Sequence, residues 1–393
     1  MMEAIGQYFT AQPVSNMMVS MFHQDTPKRI IDIGVGKGSL LHAAYNRYRS
    51  AEFFAADIDR NVISTVTARL PFVKALQIDG LSKGLSKQMK LKVGSVDIAV
   101  CNPPYYRLEK TLELKSLFKR AGLNNSENLI KITSDIVFLA QNLQMLRKGG
   151  ELGIILPDSV FTGHEFAELR EDLLTNHNIR RIIQLPDKIF NKTEAQTHIL
   201  LMEKCGSVRE KIPLFQSDFL GNLGNAVNIS SDDLLHRMDY SYYAWKELNK
   251  HSADTLTLGD LNVEIKRGRK TKKYLQEKNI PFFHTNSFPS NIKIKINLKN
   301  SPVFDDIFAE PGDILIARVG KRCIGKVTMV NSGKRVVSDC VYRLRAPKKY
   351  RNRIFSELIS VKGQQWLQVT AHGVCARVIS KRDLLCFPLN MHS

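Results

Sequence analysis

Short, almost unbroken apolar runs alternate with stretches whose apolar residues recur every three or four positions, and this continues to about residue 205. Ile30 to Ile33, Phe53 to Ala56, Ala75 to Ile78, Val96 to Val100, Glu151 to Leu156, Ile179 to Leu185 and Thr197 to Met202 read as strands, several buried on both faces. Between them, Val14 to Phe22, the residues after Gly38, and about Glu165 to Thr175 read as helices. The best-marked helix starts at Ser126 as cap, carries Leu129, Ile132, Ile136, Leu139, Leu143 and Leu146 at helical spacing, and stops at Gly149-Gly150. Residues 106–125 are mixed and basic and read as a loop. Alternating strand and helix predicts an α/β domain with a doubly wound, mostly parallel sheet. The pattern then changes: residues 204–256 are enriched in Gly, Asn, Ser and Asp, and from Leu258 onward short strands are joined by glycine turns, as at Pro311-Gly312-Asp313-Ile314-Leu315 and Ile324-Gly325-Lys326-Val327. The expected division is a first domain over 1–205, a connecting segment over 206–256, and a second, β-rich α+β domain over 257–393.

A length of 393 residues agrees with two domains. The net charge of +19 is unevenly spread: residues 1–250 hold 31 Lys and Arg against 27 Asp and Glu, residues 251–393 hold 26 against 11. A polyanion, most simply nucleic acid, is the expected partner of the second domain. Lys266, Arg267, Arg269, Lys270, Lys272 and Lys273 are its candidate phosphate contacts. No apolar run reaches membrane-spanning length and no basic segment leads into an apolar one at the start, so a cytoplasmic protein without a membrane partner is expected. The six cysteines, Cys101, Cys205, Cys323, Cys340, Cys375 and Cys386, show no metal-ligand spacing, and no metal is expected. Asp260 with Glu264-Ile265-Lys266 imitates part of a metal-nuclease motif, but the spacing is short and no further ligand is near; strand residues of a basic domain are the simpler reading.

The chemistry concentrates after Val96 to Val100. Asn102-Pro103-Pro104-Tyr105 ends that strand abruptly, because neither proline offers a backbone N–H to a sheet. Asn102 is thereby placed at a strand's carboxyl edge, where open α/β sheets bind ligands. A carboxamide oxygen and the Pro103 carbonyl close together suit an amino group, and Tyr105 suits the flat ring that bears it. Two acceptors on one exocyclic amine would turn the nitrogen lone pair toward an electrophile. Three further strand ends carry acids or glycines. Asp32 precedes Gly34-Val35-Gly36-Lys37-Gly38, one residue short of a dinucleotide fingerprint, and suits the ammonium of a bound amino acid. Asp57 can accept from ribose hydroxyls while Ile58 packs on a purine; Asp79 can bind that purine's amino group.

Asn102-Pro103-Pro104-Tyr105 after an apolar strand resembles the catalytic motif of amino-group methyltransferases that use S-adenosylmethionine, among them the adenine-N6 DNA methyltransferases. Enzymes that methylate RNA bases or glutamine side chains share it. The resemblance implies a Rossmann-like methyltransferase sheet, S-adenosylmethionine as cofactor, and adenine rotated out of double-stranded DNA as substrate. Gly6-Gln7-Tyr8-Phe9-Thr10 resembles the first cofactor-contacting motif of such enzymes, with Thr10 near the methionine end and Ala11 where a proline often follows. Residues 179–202 resemble the end of the catalytic domain, where Phe190 would take the other face of the base. Residues 258–388 resemble a target-recognition domain from the specificity subunits of type I restriction systems. A restriction–modification setting follows, with a companion restriction endonuclease left open as a partner. An RNA or protein-glutamine methyltransferase, or a DNA-binding subunit without catalysis, are the alternatives.

Overall fold

The computed structural model describes residues 10–190, 196–249, 256–291, 295–302, 305–320, 322–373 and 377–389. The chain divides into two units, Met1–Tyr243 and Ala244–Ser393. In the first unit, nine strands form one sheet: β1 Arg29–Ile33, β2 Glu52–Asp57, β3 Val73–Gln77, β4 Val96–Cys101, β5 Leu146–Pro157, β6 Asn178–Gln184, β7 Thr197–Glu203, β8 Lys211–Gln216 and β9 Val227–Ser230. Their spatial order is β9-β8-β6-β7-β5-β4-β1-β2-β3. From β3 to β5 every pairing is parallel; β7 runs antiparallel to both β5 and β6. Chain order reverses between β1 and β4, which opens a crevice at their carboxyl ends.

β4 is buried along its whole length, and its neighbours β1 and β5 cover both of its hydrogen-bonding edges. On one face of the sheet, α1 Gln12–Ser20 and α2 Ser39–Arg47 bury Val14, Met18, Leu41 and Ala44 against Ile30, Phe53, Ile98 and Ile155. A further helix, α3 Arg60–Arg69, follows β2. Two expectations change after β4. Residues expected as a loop contain α4 Leu112–Arg120, capped by Thr111 and anchored through buried Leu117 and Phe118. The helix expected from Ser126 starts later, as α5 Ser134–Met145. Both the amide and the hydroxyl of Ser126 instead bond Asp172 at 2.7 and 2.6 Å, and Ile132–Thr133 pairs with Arg107–Leu108 in a short ribbon. These partners are distant in sequence, so no local signal marked them. Asp158–Thr162 and Ala167–Asn176 are α6 and α7.

Within residues 206–256, expected as a connection, β8 pairs parallel with β6, and β9 pairs antiparallel with β8, widening the first sheet. Polar, glycine-rich composition between these strands belongs to their turn.

In the second unit, Glu264–Arg267, Val341–Arg345, Ile314–Ala317, Val327–Ser332 and Ile296–Asn297 form a five-stranded sheet in that order. Arg351–Ile359 and Val361–Thr370 are helices whose Ile354, Leu358, Trp366 and Leu367 share a core with Ile314, Ile316 and Leu344. Leu256–Thr257 pairs with Pro388–Leu389. No helix among the described residues is long and apolar enough to cross a membrane.

Candidate active site

β4 and β5 run side by side with Cys101 opposite Ile154, so Asn102 leaves the sheet between the ends of β1 and β5. The Asn102 side chain is held at both ends: its Nδ2 donates to Thr10 Oγ1 at 3.1 Å, and its Oδ1 lies 3.3 Å from the Tyr105 hydroxyl. That hydroxyl also lies 3.2 Å from the Ile155 carbonyl. One phenolic proton serves one acceptor at a time, so Tyr105 shares it between Asn102 and β5. An amide oxygen has two lone pairs, so Asn102 Oδ1 can accept from more than one donor.

Pro104 and Tyr106 are pinned from α5. Ser134 Oγ donates to the Pro104 carbonyl and accepts from Tyr106 N at 3.0 Å, while Ser134 N donates to Tyr106 O at 2.9 Å. Ser134 was not expected in the site, since it read as interior to a helix. Cys101 is buried filler whose thiol donates to Ile33 O at 3.1 Å.

The glycine turn lies beside this corner. Gly34 N and Val35 N donate to Ala56 O, and Gly36 N donates to Asp57 Oδ2 at 3.0 Å. Asp57 Oδ1 accepts from Asp59 N at 3.0 Å, so this acid ties the turn to the end of β2. Gly34 has φ +84°, and a Cβ there would stand 3.1 Å from Phe138 Cε1. At Gly80 it would stand 2.7 Å from Phe138 Cζ. Phe138, on α5, therefore floors a cradle whose walls are kept free of side chains. It too was missed, because Phe138 lies off the stripe of Ile132, Ile136, Leu139 and Leu143 and nothing local marks a helix side chain that packs against a distant turn.

Asp32 is 1% exposed, and its Oδ1 has no hydrogen-bond partner. Burial, then the nearby Asp57 charge, pushes its carboxyl well above the usual range. Burial likewise raises Asp57. A buried acid without a partner fits a cationic ligand group, which would supply the missing charge. Ile58, directly after Asp57, exposes 55% of its surface at the strand end, a flat apolar face. Asp79 is exposed, with Oδ1 accepting from Leu81 N at 2.9 Å. Thr10 is buried; Gly6 to Phe9 lie outside the described residues. A groove of about 470 Å³ between Leu81–Leu85, α4 and α5 lies beyond Asp79, and no expected site residue lines it.

Phe190 is a correction. It is 2% exposed and packs in the core with Leu185, Ile199 and Leu201. Its ring therefore offers no face to a base, because the apolar core takes it.

In the second unit the basic run is only partly free. Lys266 pairs with Glu264. Arg269 Nη1 lies 2.9 Å from both Asp305 oxygens. Lys270 sits over the Tyr274 ring, and Lys273 lies 3.9 Å from Glu277. Arg267 and Lys272 are exposed. The acids of the nuclease-like pattern are occupied: Asp260 caps a turn through Thr257, and Glu264 also pairs with Arg343 at 2.6 Å.

The family described as N-6 DNA Methylase matches residues 2–271. The type II methyltransferase M.BsuBI of Bacillus subtilis is 23% identical over 337 residues, 72% of this chain and 64% of that protein. M.PstI of Providencia stuartii, also a type II methyltransferase, is 21% identical over 67% of this chain and 58% of its own. This chain thus spans under two thirds of either relative. Among solved structures, the type IIG restriction endonuclease BpuSI aligns with 97% of this chain and 57% of its own at a TM-score of 0.51 and 14% identity, a likeness of fold.

Proposed function

The chain belongs to the N-6 DNA methylase family, and from that premise we propose that it methylates the N6 amino group of adenine in double-stranded DNA, using S-adenosylmethionine and a base rotated out of the helix. One observation carries the reading. The Asn102 carboxamide is fixed between Thr10 and Tyr105 at the carboxyl edge of β4, next to a glycine-walled cradle with an unpartnered buried acid.

S-adenosylmethionine supplies an electrophilic methyl group on a sulfonium. Asp32 would hold its ammonium, Asp57 its ribose, Ile58 and Phe138 its purine, Asp79 the purine's amino group, and Thr10, Gly34 and Gly36 the space around the methionine end. Toward the substrate, Asn102 Oδ1 and the Pro103 carbonyl accept from the adenine amine. Both acceptors draw its lone pair out of the ring and aim it away from them. Pro104, pinned by Ser134, sets that spacing, and Tyr105 stacks on the ring. The amine nitrogen would form the new N–C bond as the methyl–sulfur bond breaks and its electron pair returns to sulfur, leaving a neutral thioether, and the nitrogen would then lose one proton.

We assign target recognition to residues 257–393, with Arg267, Lys270, Lys272 and Lys273 on phosphates and weaker contributions from Lys266 and Arg269. Relatives named as methylase subunits of type I restriction enzymes support a restriction–modification setting, with an endonuclease as the companion activity. The test is to express the chain in a host without DNA methylation and read modified bases from its genome. N6-methyladenine within one recurring sequence supports the proposal; an unmodified genome, with the chain folded and abundant, refutes it.

A further inference from the structure

The turn between β8 and β9 is built to hold two apolar side chains in water. Phe219 and Leu220 at its tip expose 59% and 74% of their surface. The backbone beneath them is tightly ordered. Asp218 N donates to Asn222 O at 3.0 Å, and Gly221 N to Asp218 O at 3.2 Å. The Asp218 carboxylate accepts from Leu220 N and Asn222 N through Oδ1 and from Asn222 Nδ2 through Oδ2. Ser217 bridges to Leu223, whose side chain packs on the core. A turn selected only for solubility would place polar residues at such a tip. Here order is spent on presenting a phenylalanine and a leucine.

Its location ties the tip to the proposed active site. β8 is parallel to β6, and Gln216 is level with Gln184, so the turn leaves the same carboxyl edge of the sheet that carries Asn102. Gly221, at φ +85°, folds against the first turn of α1; a Cβ there would stand 3.0 Å from Pro13 O and 3.4 Å from Met17 Cβ. At most about 11 Å of chain separates Pro13 from Thr10, and Thr10 Oγ1 is bonded to Asn102 Nδ2 at 3.1 Å. The tip is thereby braced, through one helix, on the residue that receives the base.

We propose that Phe219 and Leu220 form a wedge that enters the DNA stack beside the target adenine and fills the space the base vacates. This rests on the DNA-adenine reading above and deepens it by naming residues that drive base extrusion. Proteins that open duplexes use such apolar wedges, and unstacking one step costs a few kcal/mol that inserted side chains offset.

The test uses the full chain and its genomically determined site, in two synthetic duplexes: one fully paired, one with the target adenine opposite an abasic position. On the paired duplex, Phe219→Ala/Leu220→Ala should lose about tenfold or more in kcat/KM, and 2-aminopurine at the target should lose the fluorescence rise seen with wild type. On the abasic duplex, where extrusion is already easy, the variant should come within about threefold of wild type. Leu220→Ala alone, at an exposed position, provides a milder version of the same split. Equal loss on both duplexes, no loss on either, or a change confined to oligomeric state would overturn the wedge. Failure of wild type to methylate either duplex would instead overturn the underlying reading.

Discussion

Asp32 makes a prediction in which stability and ligand binding move in opposite directions. Its carboxyl is buried, lacks a partner on Oδ1, and is held well above its ordinary value of 3.8 by burial and by Asp57. Below about pH 3.8 the group is protonated whether folded or unfolded, so it costs nothing. As pH rises, the unfolded chain ionises freely while the folded one resists, and stability is lost progressively toward the raised folded value. Asp32→Asn removes the charge at nearly constant shape. An unsatisfied buried polar group costs about 1–3 kcal/mol, more when charged, and 1 kcal/mol moves Tm by about 2–4 °C in a unit of this size. The variant without ligand should therefore melt a few degrees above wild type at pH 7.5, with the gap closing toward pH 4. S-adenosylmethionine should reverse the order. At a hundred times Kd a ligand adds about 2.7 kcal/mol to wild type, and that gain should vanish in Asp32→Asn. Melting curves at pH 4.5, 6 and 7.5, with and without S-adenosylmethionine, measure both effects. A variant that melts below wild type at pH 7.5 and keeps its ligand-induced rise would show that Asp32 is neither a buried cost nor a ligand contact.

Tyr105→Phe keeps the ring and loses the bonds to Asn102 and Ile155, so kcat should fall by less than about tenfold with KM for DNA nearly unchanged; Tyr105→Ala, losing a stacking face worth about 1–3 kcal/mol, should fall much further. Steady-state kinetics on one duplex separate the two, and equal losses would remove stacking from the role. In binding titrations against salt, replacing Arg267, Lys270 and Lys272 with alanine should flatten the slope by about one per residue. Lys266 and Arg269, already paired with Glu264 and Asp305, should change it less; equal effects from all five would show that those pairs do not persist on DNA.

What was legible in the residues was local. An apolar run cut by two prolines marked the end of β4, and Asp32 and Asp57 marked the ends of β1 and β2, because strand ends and tight turns are dictated by their own few residues. What escaped depends on partners far along the chain. Ser126 looked like a helix cap until Asp172 took its amide and hydroxyl. Phe190 looked available in a loop, yet lies in a core assembled from β7 and the residue after β6. The strands at 211–216 and 227–230 were hidden by the polar turn between them, and the basic run looked freer than Asp305 and Glu264 leave it. Ser134 and Phe138 carried no signal, since either could have been ordinary helix filler. The further division of labour, with recognition in residues 257–393, rests on charge and pattern, which motivates the salt titrations.

In the proposed function, Asn102 orients and activates an adenine amine. The direct measurement is methyl transfer from labelled S-adenosylmethionine to duplex DNA by purified wild type and Asn102→Ala, followed by digestion and identification of the labelled nucleoside. The expected product is N6-methyladenine from wild type and none from the variant, with duplex affinity within about threefold and the S-adenosylmethionine melting shift retained. Full turnover by Asn102→Ala, or label found on another base, would contradict it.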